Sequence, residues 1–318
     1  MTDESGSQLG TTGAARNPSP NLSNILQFLG VSRANFEALV DTPFDDLIAR
    51  IHAVVDGEPH DYFKIFEPQK TFDFDPQIID ISTVNQMSAR RIIADKIMSF
   101  YLVSAFRTMP RRDFDTRLTI IGLEHLETAH RAGLGVQLIS SHFGPARLIP
   151  TVLARLGWDL AHVSPINEQA NLEPQLDAAI DHIQLKGAFD LHVLAQCRDR
   201  LLKGGIVHST GDGMRGTSVS IHDFLGKSRP FAQSFAFLSL NTGAASLPVF
   251  IRSDENGRLT LEICAPLDHG DDASAQGARI EHMIGHYVQL LEHRWLTDFG
   301  NVPPHSLQLY QKNYKRFP

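Results

Sequence analysis

From residue 21 to about residue 110 the apolar residues recur at helical spacing, as Ile25, Phe28 and Leu29, then Phe36, Leu39 and Val40, then Ile48, Ile51, Val54 and Val55. The pattern predicts a helical lead-in over residues 21–114. Its last helix, near 88–109, carries the run Ile97, Met98, Ser99, Phe100, Tyr101, Leu102 and Val103, flanked by Arg90, Arg91, Arg111 and Arg112. Such a run is either buried or touches lipid. After Asp115 short β-rich stretches alternate with helical ones: strands at 118–121, 136–140 and 160–163, with helices at 124–131 and 146–156 between them. Further on come a helix near 191–203, strands at 206–209 and 219–224, a helix near 233–241, strands at 247–252 and 259–264, and a last helix over 273–295. This alternation predicts βαβ units and hence an α/β fold, a mostly parallel central sheet flanked by helices. Residues 1–20 hold almost no apolar side chains to offset the entropy of ordering and read as a disordered tail. With no repeat and no dividing linker, residues 21–318 read as one domain whose α/β core spans 115–300.

Composition narrows the class. At 42% hydrophobic and 20% charged residues the chain lies in the globular range, so a packed core is expected. A formal net charge of -7 argues against binding nucleic acid or anionic lipid through bulk electrostatics; any basic patch must be local. Cys197 and Cys264 are far apart without CxxC spacing, which indicates neither a disulfide framework nor a thiolate zinc site and suits a reducing cytoplasm. The chain opens on Thr2, Asp3, Glu4 and Ser5, with no basic and apolar signal segment. No run of about 18 apolar residues occurs; the nearest, 234–251, is broken by Asn241, Thr242, Gly243 and Pro248. The expectation is a cytoplasmic protein without an integral membrane anchor, free or peripheral to the inner membrane.

The most informative stretch is Gly135, Val136, Gln137, Leu138, Ile139, Ser140, Ser141, His142, Phe143, Gly144, Pro145, Ala146, Arg147. It reads as a buried strand that ends at a histidine and turns directly into a helix. Gly144 permits a tight turn and Pro145 suits the first helical position. That places the His142 imidazole at the carboxyl end of a strand, where open α/β sheets bind ligands. A helix N-terminus beside it disfavours imidazolium and leaves the ring able to accept a proton. The competing reading is a structural loop histidine.

A second constellation lies downstream: Gly211, Asp212, Gly213, Met214, Arg215 and Gly216, then Phe224, Leu225 and Gly226, then Arg229, Pro230 and Phe231, then Thr242, Gly243 and Ala244, then Pro248, Val249 and Phe250. Taken with Gly122 to Leu126 and the His142 block, this order resembles the lysophospholipid acyltransferase-like superfamily, and within it the late lauroyl and myristoyl acyltransferases of lipid A biosynthesis. The similarity covers roughly residues 115–300. It implies that His142, as base, takes a proton from a hydroxyl or amine acceptor, which attacks the thioester of an acyl carrier protein or coenzyme A. Backbone amides around Gly144 and the Arg215 guanidinium are the candidate donors to the oxyanion, and Arg215 also suits an anionic part of a substrate. No cofactor or metal is implied.

The sequence departs from the family at one position. The pattern there is His, four residues, then Asp or Glu, and here Arg147 occupies the acidic position. A guanidinium cannot orient an imidazole or stabilise imidazolium. Three readings follow: Asp212 replaces the missing carboxylate; His142 acts without one while Arg147 holds a phosphate or carboxylate; or the site is degenerate and the chain is a noncatalytic acyl-binding or carrier-protein-docking module. We take His142 and Asp212 as the catalytic pair, with Arg147, Arg215, Gly144 and His208, near the end of another strand, as substrate-binding residues. Asp223 reads as a solvated hairpin residue. Because the chain shows a polar tail in place of a transmembrane helix, the expected acceptor is a soluble or specialised-metabolite hydroxyl or amine, with a peripheral lipid acceptor as the alternative. His282 and His286 are half of a zinc site in spacing and lack a third ligand. No GxSxG elbow, P-loop or dinucleotide fingerprint supports a hydrolase, NTPase or Rossmann oxidoreductase.

Overall fold

The computed structural model describes residues 45, 46, 49, 111–165, 180–185, 191–213, 218–254, 256–271, 274–303 and 306. The disordered-tail reading, nearly all of the helical lead-in, the run at 97–103 and Arg215 lie outside them. Within them the chain forms α1 (Arg111–Arg117), β1 (Leu118–Ile121), α2 (Leu123–Arg131), β2 (Val136–Ser140), α3 (Leu148–Arg155), β3 (Leu160–Pro165), β4 (Ile180–Leu185) and α4 (Leu191–Leu202). Then follow β5 (Ile206–Thr210), β6 (Val219–Phe224), β7 (Lys227–Ala232), α5 (Ser234–Thr242), β8 (Ala245–Ser253), β9 (Leu259–Ile263) and α6 (Gln276–Thr297), with a short 3-10 turn at Phe299–Asn301.

Seven strands form one sheet in the order β1-β9-β8-β2-β5-β3-β4. From β8 to β4 neighbouring strands run parallel; β9 turns antiparallel to β8, and β1 pairs parallel to β9. The sheet is thus mostly parallel and flanked by helices, as the alternation predicts. β2 lies at its centre and all five of its residues are buried, which explains its unbroken run of non-charged residues. One face carries Ile139, Phe235, Tyr287, Leu291 and Trp295, where α6 and α5 pack down. β6 and β7 form a separate antiparallel ribbon that turns at Leu225 and Gly226, both at positive φ. Pro230 fits in β7 because a two-stranded ribbon leaves an edge free of ladder donors.

On three adjacent parallel strands the register aligns His208, His162 and His182 in one row. The Nδ1 atoms of His208 and His162 are 2.9 Å apart, a hydrogen bond that needs one ring to keep a bare Nδ1. Desolvation, and next the neighbouring His182, lower the His162 pKa from 6.5 to about 4, and burial, then the neighbouring His162, lower that of His208 well below its ordinary value. A base whose folded pKa lies below its unfolded value loses nothing above the unfolded value and loses stability as pH falls beneath it. The expected outcome is a urea midpoint that is flat above pH 6.5 and declines toward pH 4. An H162Q/H208L double variant should show a shallower decline, measured across the same pH series.

Candidate active site

β2 and β5 are parallel neighbours with Ser140 opposite Thr210, and the Gly211 N–H donates to the Ser140 carbonyl at 2.8 Å. The two chains therefore leave the sheet side by side, and His142 and Asp212, each two residues past its strand, meet there. His142 Nδ1 lies 2.9 Å from Asp212 Oδ1, and the His142 backbone N–H donates to Asp212 Oδ2 at 2.8 Å. Both carboxylate oxygens thus grip one residue. The Asp212 side chain is 1% exposed and that of His142 47% exposed, so the far edge of the imidazole opens outward. Burial alone would push the Asp212 carboxyl up; the His142 charge, the two His142 hydrogen bonds and the Arg229 charge more than offset it and hold the group below its ordinary range. An ionised carboxylate only accepts, so Nδ1 of His142 carries a proton, and when the ring is neutral the lone pair is at Nε2.

The loop after β2 is braced from the far end of the chain. Gly144 has φ +57°, and a Cβ there would stand 1.9 Å from the Ile251 carbonyl, so only glycine lets the turn rest on β8. Its N–H donates to the Asn301 carbonyl at 2.6 Å. The Asn301 side chain in turn accepts from the Ser253 N–H at 3.0 Å and donates to the Ser253 carbonyl at 3.3 Å. The Ser306 hydroxyl donates to the His142 carbonyl at 3.1 Å. From below, the buried Tyr287 hydroxyl donates to the Ser140 carbonyl at 2.8 Å. Gly211 leaves room for that ring: a Cβ would fall 2.5 Å from Ile139 and 2.9 Å from Tyr287.

The model of the bacterial lipid A biosynthesis acyltransferase family matches residues 88–296, a stretch that holds both strand ends and the β6–β7 ribbon. The chain belongs to that family. No curated protein matches it. As a member of the lipid A biosynthesis acyltransferase family it is an enzyme that transfers acyl groups.

The position that holds Asp or Glu in the resemblance drawn above is Arg147 here, exposed at the start of α3. The carboxylate in contact with His142 comes from the neighbouring strand instead. Of the backbone amides around Gly144 expected to serve an oxyanion, the Gly144 N–H is engaged by Asn301 and that of Phe143 by Ser141 at 2.8 Å. The Ala146 N–H makes no backbone–backbone hydrogen bond among the described residues. His208 was expected to touch substrate; it is buried, and its ring turns to His162 four residues short of Asp212. Asp223 accepts from the Ser228 hydroxyl at an exposed hairpin position. His282 pairs with Asp268 at 3.0 Å, and no group of three or more metal-holding side chains occurs among the described residues.

Asn301, Ser306, Tyr287 and Arg229 escape the sequence reading as site residues. Only Arg229 carries a signal, its place in the Arg229, Pro230 and Phe231 block of the resemblance. Truncating Asn301 strands the buried Ser253 amide, so N301A is expected to cost about 1–3 kcal/mol in urea unfolding. Removing one buried hydroxyl in S306A should cost about 0.5–1.5 kcal/mol in the same measurement.

Proposed function

We propose that this enzyme moves an acyl group from an acyl carrier protein or coenzyme A thioester to a hydroxyl or amine of a lipid acceptor, with His142 as general base and Asp212 as its partner. The observation that carries the proposal is the double contact of Asp212 with His142, which directs Nε2 away from the carboxylate toward the open side of the site. Nε2 takes the acceptor proton as the acceptor atom attacks the thioester carbonyl. The tetrahedral oxyanion collapses, the C–S bond breaks, and the proton held by His142 passes to the leaving thiolate. Positioned proton transfer of this kind is worth about 10² to 10⁴ in rate. Asp212 holds the ring in the productive tautomer and balances the imidazolium charge as it forms.

Family membership favours the lipid acceptor over the soluble one expected from the absence of an apolar span. No helix among the described residues is long and apolar enough to cross a membrane, so the lipid would be met at a surface, consistent with action at the inner membrane. Arg215, and Arg147 beside the site, are the candidate contacts for anionic groups of donor or acceptor. The donor already carries an activated bond, so the proposal needs no cofactor and no metal.

The test follows thioester loss and product mass with acyl carrier protein and coenzyme A donors of several chain lengths. Acceptors are a phosphorylated glucosamine lipid in mixed micelles and, separately, soluble amines and alcohols. Transfer to the lipid that H142A abolishes and D212N lowers by about 10² to 10⁴ supports the reading. Transfer to soluble acceptors alone overturns the lipid assignment, and undiminished transfer by H142A overturns the role of the histidine.

A further inference from the structure

Arg229 is 3% exposed, and its Nε and Nη1 have no hydrogen-bond partner among the described residues. Its guanidinium lies over two adjoining rings, 5.5 Å from the Phe224 centroid and 5.8 Å from the Phe231 centroid. The strand that bears it is tied to the Asp212 loop, since the Ala232 N–H donates to the Gly213 carbonyl at 3.2 Å. Arginine does not deprotonate in proteins, so a buried guanidinium needs a compensating negative charge. Two carboxylates of α6 beside the ribbon are committed elsewhere. Glu281 accepts from the Ser220 hydroxyl at 2.6 Å and lies 3.3 Å from His222, the residue opposite Arg229 in the ribbon. Glu292 accepts the Leu225 N–H at 2.5 Å. Among the described residues the buried carboxylate is Asp212, on the loop tied to this strand next to Gly213, and the charge of Arg229 helps hold it ionised.

We infer that Arg229 is a positioning residue, which acts through Asp212 to set the proton affinity of the His142–Asp212 pair; the inference rests on the acyl-transfer role given to that pair. The charge count explains its use. With His142 neutral, Arg229 and Asp212 sum to zero in a buried site; protonating His142 leaves an uncompensated positive charge. Without Arg229 the same protonation would take the site from negative to neutral. The guanidinium therefore keeps the imidazole free to accept a proton, which a base needs before it meets its acceptor. Arg147 adds charge of the same sign from the His142 loop, but it is exposed and its field is screened.

The test is an NMR pH titration of the His142 ring protons, which requires no turnover and so stands apart from any failure of the acyl-transfer reading. Removing a nearby cation makes both members of the pair bind protons more tightly. R229Q should therefore move the pair's midpoint to higher pH, on the order of one unit for charges several Å apart at an effective dielectric of about 20. R229K should titrate like the parent, and R147Q should shift by less than R229Q. An R229Q midpoint equal to the parent's, or an R229K shift as large as that of R229Q, overturns the inference. A stability cycle covers the case in which R229Q folds poorly. If Arg229 and Asp212 balance each other, D212N/R229Q is more stable than the sum of the single variants requires; strict additivity, or a double variant that fails to fold, contradicts it.

Discussion

Everything at this site depends on one buried carboxylate making two hydrogen bonds to one residue. Asp212 takes the ring proton and the backbone proton of His142, so a single side chain fixes the tautomer, the ring plane and the path of the loop. Neither contact would form if β2 and β5 were not parallel neighbours ending level with each other. The surrounding structure serves that alignment. Gly211 lets Tyr287 reach the last carbonyl of β2, and the turn at Asn301 takes up the amide of Gly144. The His142 loop is thereby clamped by residues more than 140 positions downstream, and its rigidity is a tertiary property.

The same pairing gives His142 the carboxylate contact that Arg147 does not offer. In an acyltransferase of this family the orienting carboxylate is expected one helical turn after the histidine, on the same segment. Here the adjacent strand delivers it, and the helix position is released to an exposed arginine. The imidazole does not distinguish the two sources, because what it needs is an ionised acceptor within hydrogen-bond reach of Nδ1. A carboxylate sunk beneath the sheet end has a cost that an exposed one lacks, since it must stay charged without water. That cost is offset by the contacts from His142 and by the charge of Arg229.

The core strands were legible because burial on both faces leaves apolar runs with no alternative reading: Val136–Ser140, Ile206–Thr210 and Ala245–Ser253 all fall where the pattern puts them. β4 was missed. Its Ile180, Ile183 and Leu185 alternate neither every second residue nor continuously, as befits an edge strand with polar positions facing out. β7 was read only as part of a hairpin, because Pro230 argues against a strand and nothing in the sequence reveals an isolated ribbon. Asp212 could be nominated only by resemblance, since strand order is not written in local pattern. His208 was misplaced for a related reason. Closeness to a strand end says nothing about which face a side chain takes, and the register turns this one into the sheet beside His162. The brace from Asn301 and Ser306 left no local trace at all.

The claim on which the account turns is that Asp212 directs the lone pair of His142 outward. The direct measurement is nitrogen-15 NMR of the His142 ring in the intact protein near pH 7.5. The expected shifts are those of a ring protonated at Nδ1 and bare at Nε2, with the Nδ1 proton moved far downfield by its bond to Asp212. A ring protonated at Nε2, or one averaging freely between tautomers, would contradict it.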